Sequence, residues 1–233
     1  MHALSPVRAH HGGPLLDAPG RRAERPGDPA VHRPAVLQSL TRGSRAPVDH
    51  LLRTLAAIPP GCRILDLGCG TGLRAEPLAR LGFDLHACDP DTGAVVHTRR
   101  RLAPLLPDDD PARRITLLKH LHALDYEDAS FDWVVAGDLL AHARREGVLP
   151  TLLQEIRRVL KPGGWLYADV PAAGTDPAGD ALPDASDPAF TPASLEAAMA
   201  AADLAVAETR TLVDTLPPRI QAIYRRVDPD TPR

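Results

Sequence analysis

Three glycines on alternate positions, Gly68, Gly70 and Gly72, follow the apolar run Ile64-Leu65-Asp66-Leu67, which carries one acid. Such a run reads as a strand ending in a tight turn. The turn presents backbone N–H groups, and glycine permits both the turn and the close approach of a ligand. A helix that begins at once adds its own N-terminal donors. The next apolar run ends in Cys88-Asp89-Pro90, with Asp89 placed 21 residues after Gly68. A carboxylate at the end of a second strand can accept two hydrogen bonds from a ribose diol. The chemistry implied is the holding of a nucleoside-bearing cofactor. Leu73 stands where a dinucleotide fold spaces its third glycine, and no P-loop lysine follows. Both facts weigh against a pyrophosphate or nucleotide-phosphate site.

Alternating strands and helices must position these residues. Strands are expected near Arg63–Leu67, Asp84–Cys88, Arg114–Leu118, Phe131–Ala136 and Trp165–Val170. Helices are expected near Leu73–Leu81, Asp91–Ala103 and Val148–Leu160, with an earlier one over Val48–Ile58 that Pro59-Pro60-Gly61 ends. Gly82 suits the C′ position, and Pro77 blurs the start of the helix it sits in. Thr191-Pro192 opens a last helix as N-cap and N1, running to about Ala202. Two final strands near Leu204–Val213 and Arg219–Val227 read as an antiparallel pair at the sheet edge. The expected fold is α/β: a Rossmann-like, seven-stranded, mostly parallel sheet with an antiparallel last strand and helices on both faces.

The chain has 233 residues, 44% of them hydrophobic, enough for one core domain. Residues 1–46 are rich in Pro, Gly, Arg and His. Their seven Arg against Asp17, Glu24 and Asp28 give a local charge of +4. They read as a disordered basic tail before a domain over 47–233. The overall charge of −3 and the 3% aromatic content give no reason to expect a nucleic-acid partner. Cys62, Cys69 and Cys88 form no CxxC pair and fit a reducing compartment. No apolar run reaches the roughly 18 residues of a membrane span. The expected location is cytoplasmic, with no membrane partner; oligomeric state stays open.

Four motifs in order resemble the class I S-adenosylmethionine-dependent methyltransferases: ILDLGCGTG at 64–72, ACDPD at 87–91, DYEDASFDWVV at 125–135 and EIRRVLKPGGWL at 155–166. The resemblance spans about Ile64 to Val170. Stretches 78–89 and 137–142 are loosely similar to quinone-biosynthesis methyltransferases. The likeness implies S-adenosyl-L-methionine as cofactor. It implies that Asp66 orders the loop near the methionine amino group. Gly68, Cys69, Gly70 and Gly72 would line the methionine and ribose, Asp89 the ribose hydroxyls and Pro90 the adenine, with Gly137 at the loop after the fourth strand. The family often has an acid facing the adenine amine; here that place holds His120, beside Leu121. A neutral imidazole can accept from an amine and an imidazolium cannot.

Methyl transfer from a sulfonium is an in-line displacement with a neutral leaving group, so proximity can supply about 7–11 kcal/mol of the acceleration. A base is needed only when the acceptor must lose a proton. His142, in the segment Gly137-Asp138-Leu139-Leu140-Ala141-His142, matches the family's histidine after the fourth strand. It is read as a general base or acceptor contact, or as a packing residue, with Asp138 a second acceptor contact. The acceptor is expected to be a small molecule, with O-methylation favoured. A cofactor-binding module without turnover and a nicotinamide-dependent oxidoreductase are the competing readings. Cys69 reads as a small filler, Arg99-Arg100-Arg101 as a solvated face and Asp108-Asp109-Asp110 as a solvated loop. Metal at His120 and His122 lacks supporting carboxylates. Phe190 is read either as a cover over the acceptor or as packing. The acceptor pocket is expected from the helix at 48–58 and loops at 137–146 and 171–190.

Overall fold

The computed structural model describes residues 48–106, 110–173, 189–212 and 218–228. The tail at 1–46, Asp108, Asp109 and most of the long 171–190 loop lie outside these residues.

The described chain runs α1 (Val48–Ala56), β1 (Arg63–Leu67), α2 (Ala75–Arg80), β2 (Asp84–Asp89) and α3 (Thr92–Leu102). A 3₁₀ turn (Ala103–Leu105), α4 (Pro111–Arg114), β3 (Ile115–Leu117), β4 (Phe131–Ala136), α5 (Asp138–Arg145) and α6 (Leu149–Val159) follow. The chain closes with β5 (Leu160–Pro171), α7 (Pro192–Ala200), β6 (Leu204–Leu212) and β7 (Arg219–Arg226). The seven strands form one sheet in the order β3-β2-β1-β4-β5-β7-β6. The pairs β1·β2, β1·β4, β2·β3 and β4·β5 are parallel, and β7 is antiparallel to both neighbours, β5 and β6. The expected fold is the observed one, including the antiparallel edge pair.

Central strands buried on both faces need near-continuous apolar runs, and β4, Phe-Asp-Trp-Val-Val-Ala, is one. On one face Leu51, Leu55, Leu78, Leu81 and Val95 pack from α1–α3 against Ile64, Leu85, Val135 and Tyr167. On the other, Leu140, Leu152, Ile156, Leu195 and Met199 pack against Leu65, Val134, Leu166 and Ala168. Phe190 belongs to this second core, 1% exposed, with the Arg144 guanidinium 4.6 Å from its ring centroid. Its role there is packing.

Local signals set most boundaries. The Asp91 carboxylate caps α3 by accepting from Gly93 N and Ala94 N. Thr191 and Ser194 form a capping box at α7. Gly82, with φ of +78°, follows α2. Two expectations need correction. The α2 helix begins at Ala75 rather than Leu73, because Pro77 has no N–H to give the Leu73 carbonyl. The 137–146 segment is not a loop: Asp138–Arg145 is helix α5, burying Leu139, Leu140, Ala141 and Ala143. Lys161–Gly164 lie in the first part of β5, where its pairing to β4 shifts between Phe131 and Trp133. There Lys161 Nζ donates to Asp132 Oδ1 at 2.8 Å, and Asp132 Oδ2 accepts from Arg63 N at 2.9 Å.

Candidate active site

The carboxyl ends of β1, β2, β4 and β5 gather the candidate residues. Asp66 is the next-to-last residue of β1 and is fully buried. Burial pushes its carboxyl above the ordinary range, against the pull of the nearby Arg74 guanidinium. Among the described residues neither Asp66 oxygen has a hydrogen-bond partner, although Arg74 Nη2 lies 3.4 Å from Oδ1. A buried carboxylate left in this way is a site for a cation.

The glycine loop follows. Gly68, Gly70 and Gly72 have φ of +77°, +53° and +79°, the region that L side chains avoid. A Cβ on Gly68 would lie 2.8 Å from Leu139 Cβ, and one on Gly72 3.0 Å from Thr98 Oγ1. A Cβ on Gly70 would meet nothing within 4 Å, so this glycine borders open space. Gly68 N and Cys69 N both donate to Cys88 O, at 2.8 and 3.1 Å, closing the loop onto β2. The Cys69 thiol is pushed up to about 12, by burial first, with Asp66 adding to the effect. It stays neutral, as a filler should.

Asp89 is 8% exposed at the end of β2. Its Oδ2 accepts from Gly70 N at 2.8 Å and its Oδ1 from Asp91 N at 2.9 Å. One N–H per oxygen orients the carboxylate and leaves acceptor capacity on each. Pro90 is exposed beside it. Leu118 N donates to Asp89 O at 2.9 Å, which brings the segment after β3 alongside. His120 is exposed there and stacks on His122 at 5.3 Å between ring centroids; Leu121 is half-buried. A cavity of about 340 Å³ is lined by Cys88, Thr116, Lys119, His120 and Tyr126 among others. The glycine loop and Asp89 are not part of its wall.

Sequence reasoning missed a second polar group on the β5 side. Asp169, near the end of β5, is 5% exposed. Arg219, the first residue of β7, donates from Nε to Asp169 Oδ1 at 2.5 Å and from Nη2 to Asp138 Oδ1 at 2.8 Å. Burial works against the Arg219 charge, but the two carboxylates hold its pKa above the usual arginine range. The Tyr167 hydroxyl, two residues before Asp169, is buried with no hydrogen-bond partner among the described residues, and desolvation raises its pKa. An acid ending an apolar strand was the signal used for Asp89, and it would have found Asp169. Arg219 carries no such signal, since only the β5·β7 pairing brings it here. Asp138 opens α5 and is exposed, and His142 lies one turn later, half-buried. The structure does not link His142 to Asp66 or Asp89 by any hydrogen bond.

The residues fit the cofactor that the sequence motifs imply. Asp66 offers a buried acid with no hydrogen bond for an ammonium, Gly70 an open approach, and Asp89 an oriented carboxylate for a diol.

A family model described as a methyltransferase domain matches residues 64–164. The mitochondrial ubiquinone biosynthesis O-methyltransferase of Mus musculus is 34% identical over 126 residues, covering 51% of this chain and 32% of that protein. The ubiquinone biosynthesis O-methyltransferase of Azorhizobium caulinodans is 30% identical over 168 residues, 66% of this chain and 62% of that one. The chain thus spans about a third of the length of the mouse relative and less than two thirds of the bacterial one. Among solved structures, a SAM-dependent methyltransferase from Aquifex aeolicus superposes with a TM-score of 0.61 at 15% identity, covering 83% of this chain and 98% of that one. That likeness is one of fold. With the four motifs, the loop geometry and the domain match together, the chain belongs to the class I S-adenosylmethionine-dependent methyltransferase superfamily.

Proposed function

We propose that this protein transfers a methyl group from S-adenosylmethionine to an oxygen of a small molecule. The observation that carries the cofactor is Asp66, a fully buried carboxylate without a hydrogen bond, set beside the oriented carboxylate of Asp89. When bound, the cofactor supplies a methyl group activated on a sulfonium. Asp66 would hold the ammonium, the glycine loop the chain between amino acid and ribose, and Asp89 the ribose hydroxyls. Pro90, Leu121 and His120 would border the adenine, with a neutral His120 ring accepting from its amine.

The preference for oxygen rests on the relatives' names and on His142. That side chain sits on α5, directly after β4, where open α/β sheets receive ligands. Histidine is the side chain most often used to take a proton from a phenol or alcohol near neutrality. Asp138, held by Arg219, stands one helical turn before it and is available to an acceptor hydroxyl.

Calorimetry with S-adenosylhomocysteine on wild type and Asp89→Ala, followed by an acceptor screen with labelled methyl donor, tests the proposal. Binding lost in the variant, with label appearing on a hydroxylated acceptor, is the expected result. Binding without transfer to any acceptor would instead favour a cofactor-binding module. Absence of binding would sink the cofactor assignment.

A further inference from the structure

The side chain of Arg74 leaves the start of α2 and folds back over the glycine loop. Its Nη2 donates to Gly68 O at 3.0 Å and lies 3.4 Å from Asp66 Oδ1. A Cβ on Gly137 would overlap the guanidinium, so glycine there makes room for it. The Arg74 side chain is 18% exposed. A cation is therefore wedged among Asp66, Gly68 and Gly137, three residues assigned to the cofactor site. Its attraction does not offset the burial of Asp66, whose carboxyl stays above the ordinary range.

We propose that Arg74 is the specificity residue for the charged amino-acid end of the cofactor: it neutralises Asp66 in the free protein and turns to the α-carboxylate when the α-ammonium takes its place. This rests on the S-adenosylmethionine reading above. The chemistry is an exchange of ion pairs. One Asp–Arg pair plus a zwitterion becomes Asp–ammonium plus Arg–carboxylate, with no net charge added to the site. Guanidinium suits the second half, because its planar fork meets a carboxylate with two parallel N–H donors. The Arg74 backbone is already helical, with φ −87° and ψ −39°. The exchange then needs rotation of the side-chain stem alone. A ligand with the same nucleoside but no amino-acid end gains nothing from it.

Calorimetry with S-adenosylhomocysteine and with 5′-methylthioadenosine, which lacks the zwitterion, separates the possibilities. Wild type is expected to prefer S-adenosylhomocysteine. Arg74→Ala should weaken that ligand by at least about tenfold and leave methylthioadenosine within about twofold. Arg74→Lys, which keeps the charge but not the fork, should fall between. Thermal unfolding of each variant establishes that it is folded. Unchanged or tighter S-adenosylhomocysteine binding by Arg74→Ala would overturn the proposal and make Arg74 a plug. Equal loss of both ligands would overturn it too, as loop damage. Wild type binding neither ligand would instead bring down the cofactor reading on which the proposal stands.

Discussion

The backbone N–H of Gly70 donates to Asp89 Oδ2 at 2.8 Å, tying the loop after β1 to the last residue of β2. The bond gives Asp89 two tasks at once. It shapes the loop, and it fixes where the carboxylate's remaining lone pairs point. Loss of Asp89 therefore affects ligand and loop together. Asp89→Ala should weaken S-adenosylhomocysteine by roughly a hundredfold and lower stability by about 1–2 kcal/mol. Asp89→Asn must set its NH₂ against one of the two N–H donors it now accepts from, and should also bind weakly. Wild-type affinity in the Asn variant would remove Asp89 from the ribose role.

Gly68 and Gly70 share a positive φ but differ in surroundings. Gly68→Ala sets a methyl group against Leu139 Cβ and should cost about 2–3 kcal/mol in a denaturant titration. Gly70→Ala adds only the left-handed strain of about 1–2 kcal/mol, because nothing lies near its Cβ. That methyl projects into the open approach, so this variant should stay folded and lose cofactor affinity. Normal affinity in Gly70→Ala would show that the ligand does not pass there.

With Asp66 at the ammonium, as proposed, cofactor binding should depend on pH. The Asp66 carboxyl is raised in the folded protein, first by burial, above the unfolded value of about 3.9. Its contribution to stability is then fully present below the unfolded value and is lost as pH rises through the folded one. A bound ammonium favours the ionised form and lowers that value again. Binding should release protons over the interval between the free and bound values, and tighten as pH rises across it. Calorimetry in buffers of different ionisation enthalpy measures the release, which Asp66→Asn should abolish.

His142→Ala should lower turnover on a hydroxylated acceptor by about 10²–10⁴-fold while leaving S-adenosylhomocysteine affinity unchanged. His142→Gln keeps a polar side chain but cannot act as a base near neutrality. A Gln variant with full activity would leave His142 as packing.

Arg158 on α6 supports the segment that precedes β4. It donates to Tyr126 O, Leu124 O and Asp128 Oδ1, and pairs with Glu155. Glu155 in turn accepts from Leu124 N at 2.8 Å. Arg158→Ala should cost about 2–3 kcal/mol, because it strips two carbonyls and two carboxylates of a donor. The Glu155 carboxyl is held below its ordinary range, chiefly by Arg158. The stabilisation from that pair is present above the unfolded glutamate value and fades as pH falls toward the folded one. A thermal-unfolding series between about pH 3 and pH 6 should show a smaller acid sensitivity in the variant.

What the sequence made legible was local. The turn from β1 needs glycine at three alternate positions, the helix after β2 starts at Asp91, and Thr191-Pro192 opens α7. Each of those requirements sits within four residues of the signal that reveals it. Helix α5 escaped notice because its eight residues, set between Gly137 and Gly147, are too few for a helical period to stand out from a loop. Arg74 was hidden for another reason. An arginine at the mouth of a helix looks like a solvated surface residue, and only the path of its side chain back over Gly68 shows otherwise. Arg219 depends on β7 lying beside β5, a pairing of residues 50 apart at the Asp169–Arg219 contact. No spacing rule reaches that far.

The insertion of β7 between β5 and β6 also sets an order of events during synthesis. Among the described residues β6 has β7 as its only strand neighbour, and β7 is made after it. Until Arg226 leaves the ribosome, β6 has no ladder to join and the outer side of β5 stays bare. The Asp169 carboxylate likewise waits for Arg219. The parallel half of the molecule can assemble as the chain emerges, but the Asp169–Arg219 contact forms only once β7 is made. A nascent chain stopped before Arg219 should thus remain open to proteolysis at β5 and β6, while β1 and β2 are already protected.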